Sequence, residues 1–285
     1  MIFDVAAEID YAVGFRSAMI LSLHAQESSS QKILKEEFSI EPKVAFTEFR
    51  DDHGNRFVRL DTANRTQLTV RYAASVDCIF DVQRADQIAA TPVTALDHPA
   101  VPYLFPSRYC QSDRLGKLAW DLFGNLETPH DKVMKITEWI HDNVDYVPGS
   151  TNAVTSAYDT VTQRVGVCRD FAHLGIALCR ALNIPARYFT GYAYELQPPD
   201  FHACFECLIG GNWMVFDATR LAHLNGLVRI ATGRDAADTA VASVFGSVNP
   251  TRMKVSCDLG RNQHFVPIRS EKLGPRGVSI AASAD

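Results

Sequence analysis

The sequence predicts an α+β fold in which an all-β, sandwich-like unit precedes a segment of helices running into antiparallel strands. Two observations carry this reading. Apolar residues alternate at period two in the first hundred residues, then recur at spacings of three and four from Leu115. Between the two regimes lie Pro92, Pro99, Pro102 and Pro106, a poor helix and a plausible connector. The expected division is 1–105 for the β-rich domain and 106–285 for the mixed one.

In the first part, F-V-R-L-D (57–61) and Q-L-T-V-R-Y-A-A-S-V (67–76) read as half-buried strands. Turn-forming clusters D-D-H-G-N (51–55) and T-A-N (62–64) bound them. In the second part, Leu115, Leu118, Ala119 and Leu122 share one face of a helix that stops at Gly124. Thr128 as N-cap, Pro129 in the first turn and Asp131 announce the next helix, with a stripe of Val133, Ile136, Ile140 and Val144. Residues 147–166 are polar and read as a loop. A third helix starts at Cys168 with the stripe Phe171, Leu174, Leu178 and Leu182, and ends near Asn183 because Pro185 cannot continue it.

Strand-like composition returns at 187–194 and 202–209, and Gly210-Gly211 signals a hairpin into W-M-V-F-D (213–217). The tail reads as a strand at Leu227–Ala231, a short helical piece at Ala236–Val244 and an Ala/Ser-rich end.

Composition narrows the function. The 285 residues are 47% hydrophobic with a net charge of −5, both signs interspersed and no basic run. Neither nucleic acid nor membrane is expected as a partner. The N-terminus has acids where a signal peptide needs a basic start and an apolar core, so the expected location is cytoplasmic. Seven scattered cysteines, at 78, 110, 168, 179, 204, 207 and 257, suit buried thiols in a reducing compartment.

Cys168 stands apart from the other six. In the first turn of a helix it meets unpaired N–H groups and the positive end of the macrodipole, which favour thiolate over thiol. Gly166 would allow a substrate backbone to approach, and the Cys168 N–H could donate to an oxyanion. Asp170 opposes the thiolate as a nearby negative charge. Cys179, deep in the apolar stretch, reads as packing.

A thiol nucleophile needs an imidazole, and the imidazole needs an acceptor behind it. His173 lies five residues along the helix, about 140° round from Cys168, and cannot easily reach the sulfur. His130 and His141 read as surface residues. His202 opens a strand that hairpins back. A two-residue Gly210-Gly211 turn pairs positions summing to 421, so His202 lies opposite Thr219 with Asp217 diagonal on the same face. A turn shifted by one makes the two direct neighbours. Either register allows Cys168–His202–Asp217, with the other His and Asp residues as competitors.

These residues also carry a resemblance. G-V-C-R-D-F-A-H-L, L-N-I-P-A-R-Y-F-T-G-Y, H-A-C-F-E-C and W-M-V-F-D-A-T-R resemble successive core motifs of the transglutaminase-like superfamily. They look like its bacterial branch, a group often described as cysteine proteases, and V-R-I-A-T-G-R-D-A-A-D (228–238) resembles that branch too. The resemblance implies a papain-related core in which the nucleophile helix packs on an antiparallel sheet. It places the family's nucleophile on Cys168, its histidine on His202 and its aspartate on Asp217, with no cofactor and no metal. One departure is Cys204, where the family usually has an aromatic residue two positions after the histidine.

The implied activity is attack on a peptide or carboxamide carbonyl of a peptide or protein substrate, with a thioester intermediate. Hydrolysis, as in a cysteine protease or amidase, is favoured over transfer to an amine, since nothing marks a lysine-binding surface. A non-catalytic module is a second reading, against which the intact triad argues. Zinc on Cys204, Cys207 and His202 is a third. Residues three apart on a strand face opposite ways, and no second C-x-x-C completes the set. Arg187 and Tyr188 are expected to pack and pair, and Glu206 either to line the cleft or to be structural. The second oxyanion donor is sought in Tyr146 or the 147–166 loop.

Overall fold

The computed structural model describes residues 1–280, so the Ala/Ser-rich end at 281–285 lies outside the described residues. Seven strands come first: β1 (Ile2–Val13), β2 (Ala18–Leu21), β3 (Gln31–Glu41), β4 (Phe46–Arg50), β5 (Arg56–Asp61), β6 (Gln67–Cys78) and β7 (Asp81–Arg84). The proline-rich connector holds two 3₁₀ turns, Val93–Ala95 and His98–Leu104. Then follow α1 (Ser112–Phe123), α2 (Pro129–Asn143), β8 (Asp145–Tyr146), α3 (Ala157–Gln163), β9 (Val165–Gly166) and α4 (Cys168–Ala181). The chain closes with β10 (Ala186–Ala193), β11 (His202–Ile209), β12 (Asn212–Phe216), β13 (Leu227–Gly233), β14 (Ala242–Phe245), β15 (Val248–Leu259) and β16 (Arg276–Ser279).

The β unit consists of two four-stranded sheets, β15-β1-β6-β3 and β14-β2-β5-β4, which share one apolar core. Strand alternation builds that core: Phe3, Val5, Ala7 and Ile9 of β1 turn inward beside Leu68, Val70 and Tyr72 of β6, and meet Met19, Leu21, Val58 and Leu60 of the second sheet. Each sheet takes an edge strand from the far end of the chain. β15 pairs with β1 from Phe3↔Leu259 to Val13↔Val248, and β14 pairs with β2. The division at 105/106 therefore leaves Ala242–Leu259 on the mixed side of the sequence but inside the β unit in space. The helical reading of Ala236–Val244 fails for the same reason. Residues 242–245 are extended because the free edge of β2 offers them a ladder that outweighs local propensity. Conversely, β7 crosses to the mixed half and pairs with β16.

The mixed half centres on α4. Its predicted stripe is buried, but so are Ala172, Ile176, Ala177, Cys179 and Arg180, because α1, α2, α3 and the six-stranded sheet β13-β10-β11-β12-β16-β7 enclose it. α2 begins as read, with Thr128 Oγ1 accepting from Asp131 N at 3.1 Å, and buries Val133, Ile136, Ile140 and Val144. α1 sits rotated from its predicted face. Phe123 is buried and Leu122 is 43% exposed, since Leu115, Ala119 and Phe123 make the better-aligned row at spacing four. The polar stretch 147–166 contains α3. Its seven residues are too short and polar to show periodicity, but Asp159 holds its first turn by accepting from Ser156 N and Oγ at 2.9 and 2.6 Å.

Arg180 secures the far end of α4. Its buried guanidinium donates to the carbonyls of Phe105, Ala186 and Arg234 and to Ser107 Oγ at 2.6–3.0 Å. One side chain thereby ties the connector, β10 and the segment after β13 to α4.

Candidate active site

Cys168 occupies the first helical position of α4, half-buried, with Val167 as the capping residue. Asp170, fully buried, fixes this turn. Its carboxylate accepts from Val167 N at 2.9 Å and Thr151 Oγ1 at 2.7 Å, and pairs with Arg169 at 3.2 Å. The opposing charge at the helix start is thus already engaged. Gly166 is required by this arrangement, since a Cβ there would lie 2.8 Å from the Asp170 Cβ.

The hairpin takes the first of the two expected registers. Phe205↔Phe216 and Ile209↔Asn212 both sum to 421, and Gly210 and Gly211 adopt φ of +60° and +81°, as a two-residue type I′ turn requires. His202, the first residue of β11, and Asp217, just past β12, meet with Nε2 and Oδ2 3.0 Å apart, both buried. Asp217 takes three further donors: Thr219 N at 2.9 Å and Thr219 Oγ1 at 2.7 Å on Oδ1, and Ala222 N at 3.0 Å on Oδ2. The D-A-T sequence after the strand is an Asx-turn signature for the first of these. The bond from Ala222 depends on how the chain folds back and has no sequence signal.

Burial works against a charged carboxylate, but the His202 charge and these donors outweigh it and hold Asp217 below its usual range. Burial likewise works against a charged imidazole. The Asp217 charge and hydrogen bond, then the hydrogen bond and charge of Cys168, prevail and lift His202 to about 10. With Nε2 on Asp217, Nδ1 is the ring nitrogen left for the sulfur. The three residues nominated by the sequence therefore lie together, with His202 hydrogen-bonded to Asp217 and electrostatically coupled to Cys168.

Tyr146 completes the surroundings. The parallel bridge β8–β9, with Tyr146↔Gly166, sets it beside the Cys168 turn. Its phenol lies near Cys168; burial first, then the Cys168 and Asp200 charges, push it up to about 12. Asp200 lies two residues before His202 in the preceding loop, and desolvation of its carboxyl raises it although the residue reaches solvent. Cys204 is buried near Cys168, and burial, with the charges of Asp217 and Glu206, pushes its thiol well up.

Other candidates fall elsewhere. His173 accepts from Ala236 N through Nε2 at 3.1 Å and stacks on Tyr109, with ring centroids 4.9 Å apart. Burial keeps it far below its usual range. His130, read as a surface residue, is 1% exposed and meets the Arg276 carbonyl at 3.0 Å, because the C-terminal segment with β16 covers that side of α2. Cys207 contacts Cys179 with sulfurs 3.6 Å apart in the core. Glu206 is wholly buried between Arg187, at 2.6 Å, and Arg229, in the structural one of its two expected roles.

The core profile of the transglutaminase-like superfamily matches residues 116–218, which include all three site residues. The profile of the bacterial transglutaminase N-terminal domain matches residues 1–99. A solved structure from Cytophaga hutchinsonii, described as a candidate cysteine protease, is 53% identical with a TM-score of 0.95, over 98% of this chain and 97% of that one. An uncharacterized protein of Mycobacterium leprae is 29% identical over 143 residues, 47% of this chain and 51% of that protein. One from Mycobacterium tuberculosis H37Rv is 40% identical over 60 residues, 21% of this chain and 19% of that protein. The matched part thus spans about half or less of these mycobacterial proteins. With its full-length similarity to the Cytophaga structure and both profiles in sequence, the chain belongs to the transglutaminase-like superfamily, carrying the bacterial N-terminal β domain ahead of the core.

Proposed function

We propose that the protein is a thiol-dependent acyl-transfer enzyme that cleaves peptide or carboxamide bonds, with water as the favoured acceptor. The observation that supports this most is the buried His202–Asp217 pair beside half-buried Cys168, with the carboxylate held ionised by four donors. In this reading the charged imidazole pairs with the Cys168 thiolate. The sulfur attacks the substrate carbonyl carbon, and the carbonyl π electrons move onto oxygen. The Cys168 N–H donates to that oxygen, and the neighbouring Tyr146 phenol serves as second donor. As the tetrahedral centre collapses, the C–N bond breaks, His202 gives its proton to the departing nitrogen, and a thioester remains on Cys168. Neutral His202 then takes a proton from water, whose oxygen attacks the thioester and releases the carboxylic acid and the thiolate. Asp217 keeps the ring oriented and stabilises its charged form.

The test is mass spectrometry of products from peptide libraries, with and without an added primary amine. Shortened peptides signify proteolysis, and a gain of about 1 Da at glutamine or asparagine signifies amide hydrolysis. An amine adduct formed in preference to either would assign transfer instead. No turnover of any library, with Cys168 intact and reduced, counts against the enzyme reading.

A further inference from the structure

A cavity of about 510 Å³ lies between the β unit, the His98–Leu104 turn and the hairpin end of the six-stranded sheet. The triad residues are not among those lining it, whereas Leu208, Gly211, Asn212 and Trp213 are. Its buried wall is unusual in charge. Arg187 and Arg229 both line the cavity, and both guanidiniums rest on the single carboxylate of Glu206. Two positive charges therefore share one negative charge in a region where unpaired charge is expensive. Arg187 meets Glu206 through Nε, which leaves its Nη groups for another acceptor.

The same wall holds polar atoms that nothing satisfies. Tyr103 is 3% exposed and Arg229 4%, yet the Tyr103 hydroxyl and Arg229 Nε have no hydrogen-bond partner among the described residues. Each such orphan costs about 1–3 kcal/mol relative to a satisfied group. Beside them is an apolar platform. Trp213 packs edge-on to Tyr103, with centroids 5.2 Å apart, and the Arg187 guanidinium lies 4.2 Å from the Trp213 ring centroid. The exposed part of the lining includes Glu27, itself paired with Arg50 at 3.1 Å, and Asp97, whose charge repels ligands of high negative charge.

We propose that this cavity binds a small monocarboxylate carried on an apolar or aromatic body. The carboxylate meets Arg187 and the Tyr103 hydroxyl, and the body lies against Trp213. The surplus of one positive charge on the wall matches a monoanion. The Asp97 carboxylate at the exposed side disfavours a dianion such as a phosphate ester. The volume suits a small organic molecule, in a setting where apolar walls and a few placed polar groups together fix a ligand.

The test is isothermal titration calorimetry of the full chain with benzoate, phenyl phosphate and benzyl alcohol, on wild type and on Cys168→Ser. Benzoate should saturate a single site equally in both proteins, while benzyl alcohol gives no saturable heat. Tyr103→Phe removes a buried hydroxyl that has no partner, so the free protein should melt at a higher temperature while benzoate binding weakens about tenfold, as loss of a hydrogen bond to a charged group requires. Trp213→Leu should weaken it as well. Absence of saturable benzoate binding, equal binding of benzyl alcohol, tighter binding of phenyl phosphate, or undiminished affinity in Tyr103→Phe would each overturn the assignment. Because Cys168→Ser is included, failure here and failure of the acyl-transfer reading are separate results.

Discussion

Asp217 reaches His202 from one residue beyond the end of β12, with Oδ2 3.0 Å from Nε2, and it is held there by Thr219 and Ala222 rather than by the strand ladder. The contact is therefore set by the turn that follows the strand as much as by the hairpin before it. Asp217→Asn should leave the fold intact but disturb the imidazole orientation and tautomer, lowering kcat/KM about 10³-fold or more. A decrease below tenfold, measured on any substrate found by the library screen, would show that His202 does not depend on this carboxylate.

The same pair gives a pH signature in stability. His202 moves from 6.5 to about 10 on folding, so its pairing contributes fully below about pH 6.5 and is lost as pH rises through about 10. Asp217 moves below 3.8, so its contribution is present above that value and is lost as pH falls through its folded value. The gap in denaturation midpoint between wild type and Asp217→Asn should be widest near pH 5–6 and shrink steadily towards pH 10. A gap that grows with pH would reverse the sign of the coupling.

Thiol reactivity should single out one residue. Cys78, Cys110, Cys179, Cys204 and Cys207 are buried, and burial pushes the Cys257 thiol well up. Iodoacetamide at neutral pH followed by peptide mapping should modify Cys168 first, by about tenfold or more over any other cysteine. Labelling of Cys204 at a comparable rate would mean that the pocket exposes a second thiol.

Tyr146→Phe removes the hydroxyl that lies beside the Cys168 turn. If the phenol is the second oxyanion donor, kcat should fall about 10²-fold with KM little changed. A raised kcat would instead mark the hydroxyl as a group that substrate must displace at a cost.

Glu206→Gln tests the buried charge triad. Two guanidiniums lose their shared carboxylate, and the loss of stability should be about 3–5 kcal/mol in denaturant unfolding. Adding Arg229→Met should recover part of it, because one of the stranded charges is removed.

Packing transmits to chemistry through Gly175. A Cβ at this position would lie 2.5 Å from the Phe205 ring, so Gly175→Ala presses α4 away from β11. The gain in helix propensity, about 1 kcal/mol, is outweighed by about 1–3 kcal/mol of overpacking. Since Cys168 and His202 sit on these two elements, kcat should drop along with stability. Unchanged kcat in the folded variant would show that the sheet absorbs the shift.

Local rules wrote much of this protein into its sequence. Thr128-Pro129 starts α2, the spacing from Phe171 to Leu182 makes α4, and Gly210-Gly211 sets a register that puts Asp217 diagonal to His202. Each depends on neighbours within a few turns or one hairpin. Cys168 was legible because a helix start is local, and His202 because the hairpin arithmetic is. What only the tertiary structure decided involves partners far apart in the chain. The edge of β2 turns Ala242–Phe245 from helix-like sequence into strand, the C-terminal segment buries His130, and Arg180 gathers three carbonyls from separate segments. Glu206 becomes an internal counter-ion because Arg187 and Arg229 arrive from two other strands. Burial, edge pairing and charge compensation are properties of the assembled chain, since each is settled by which distant groups exclude water from a given side chain.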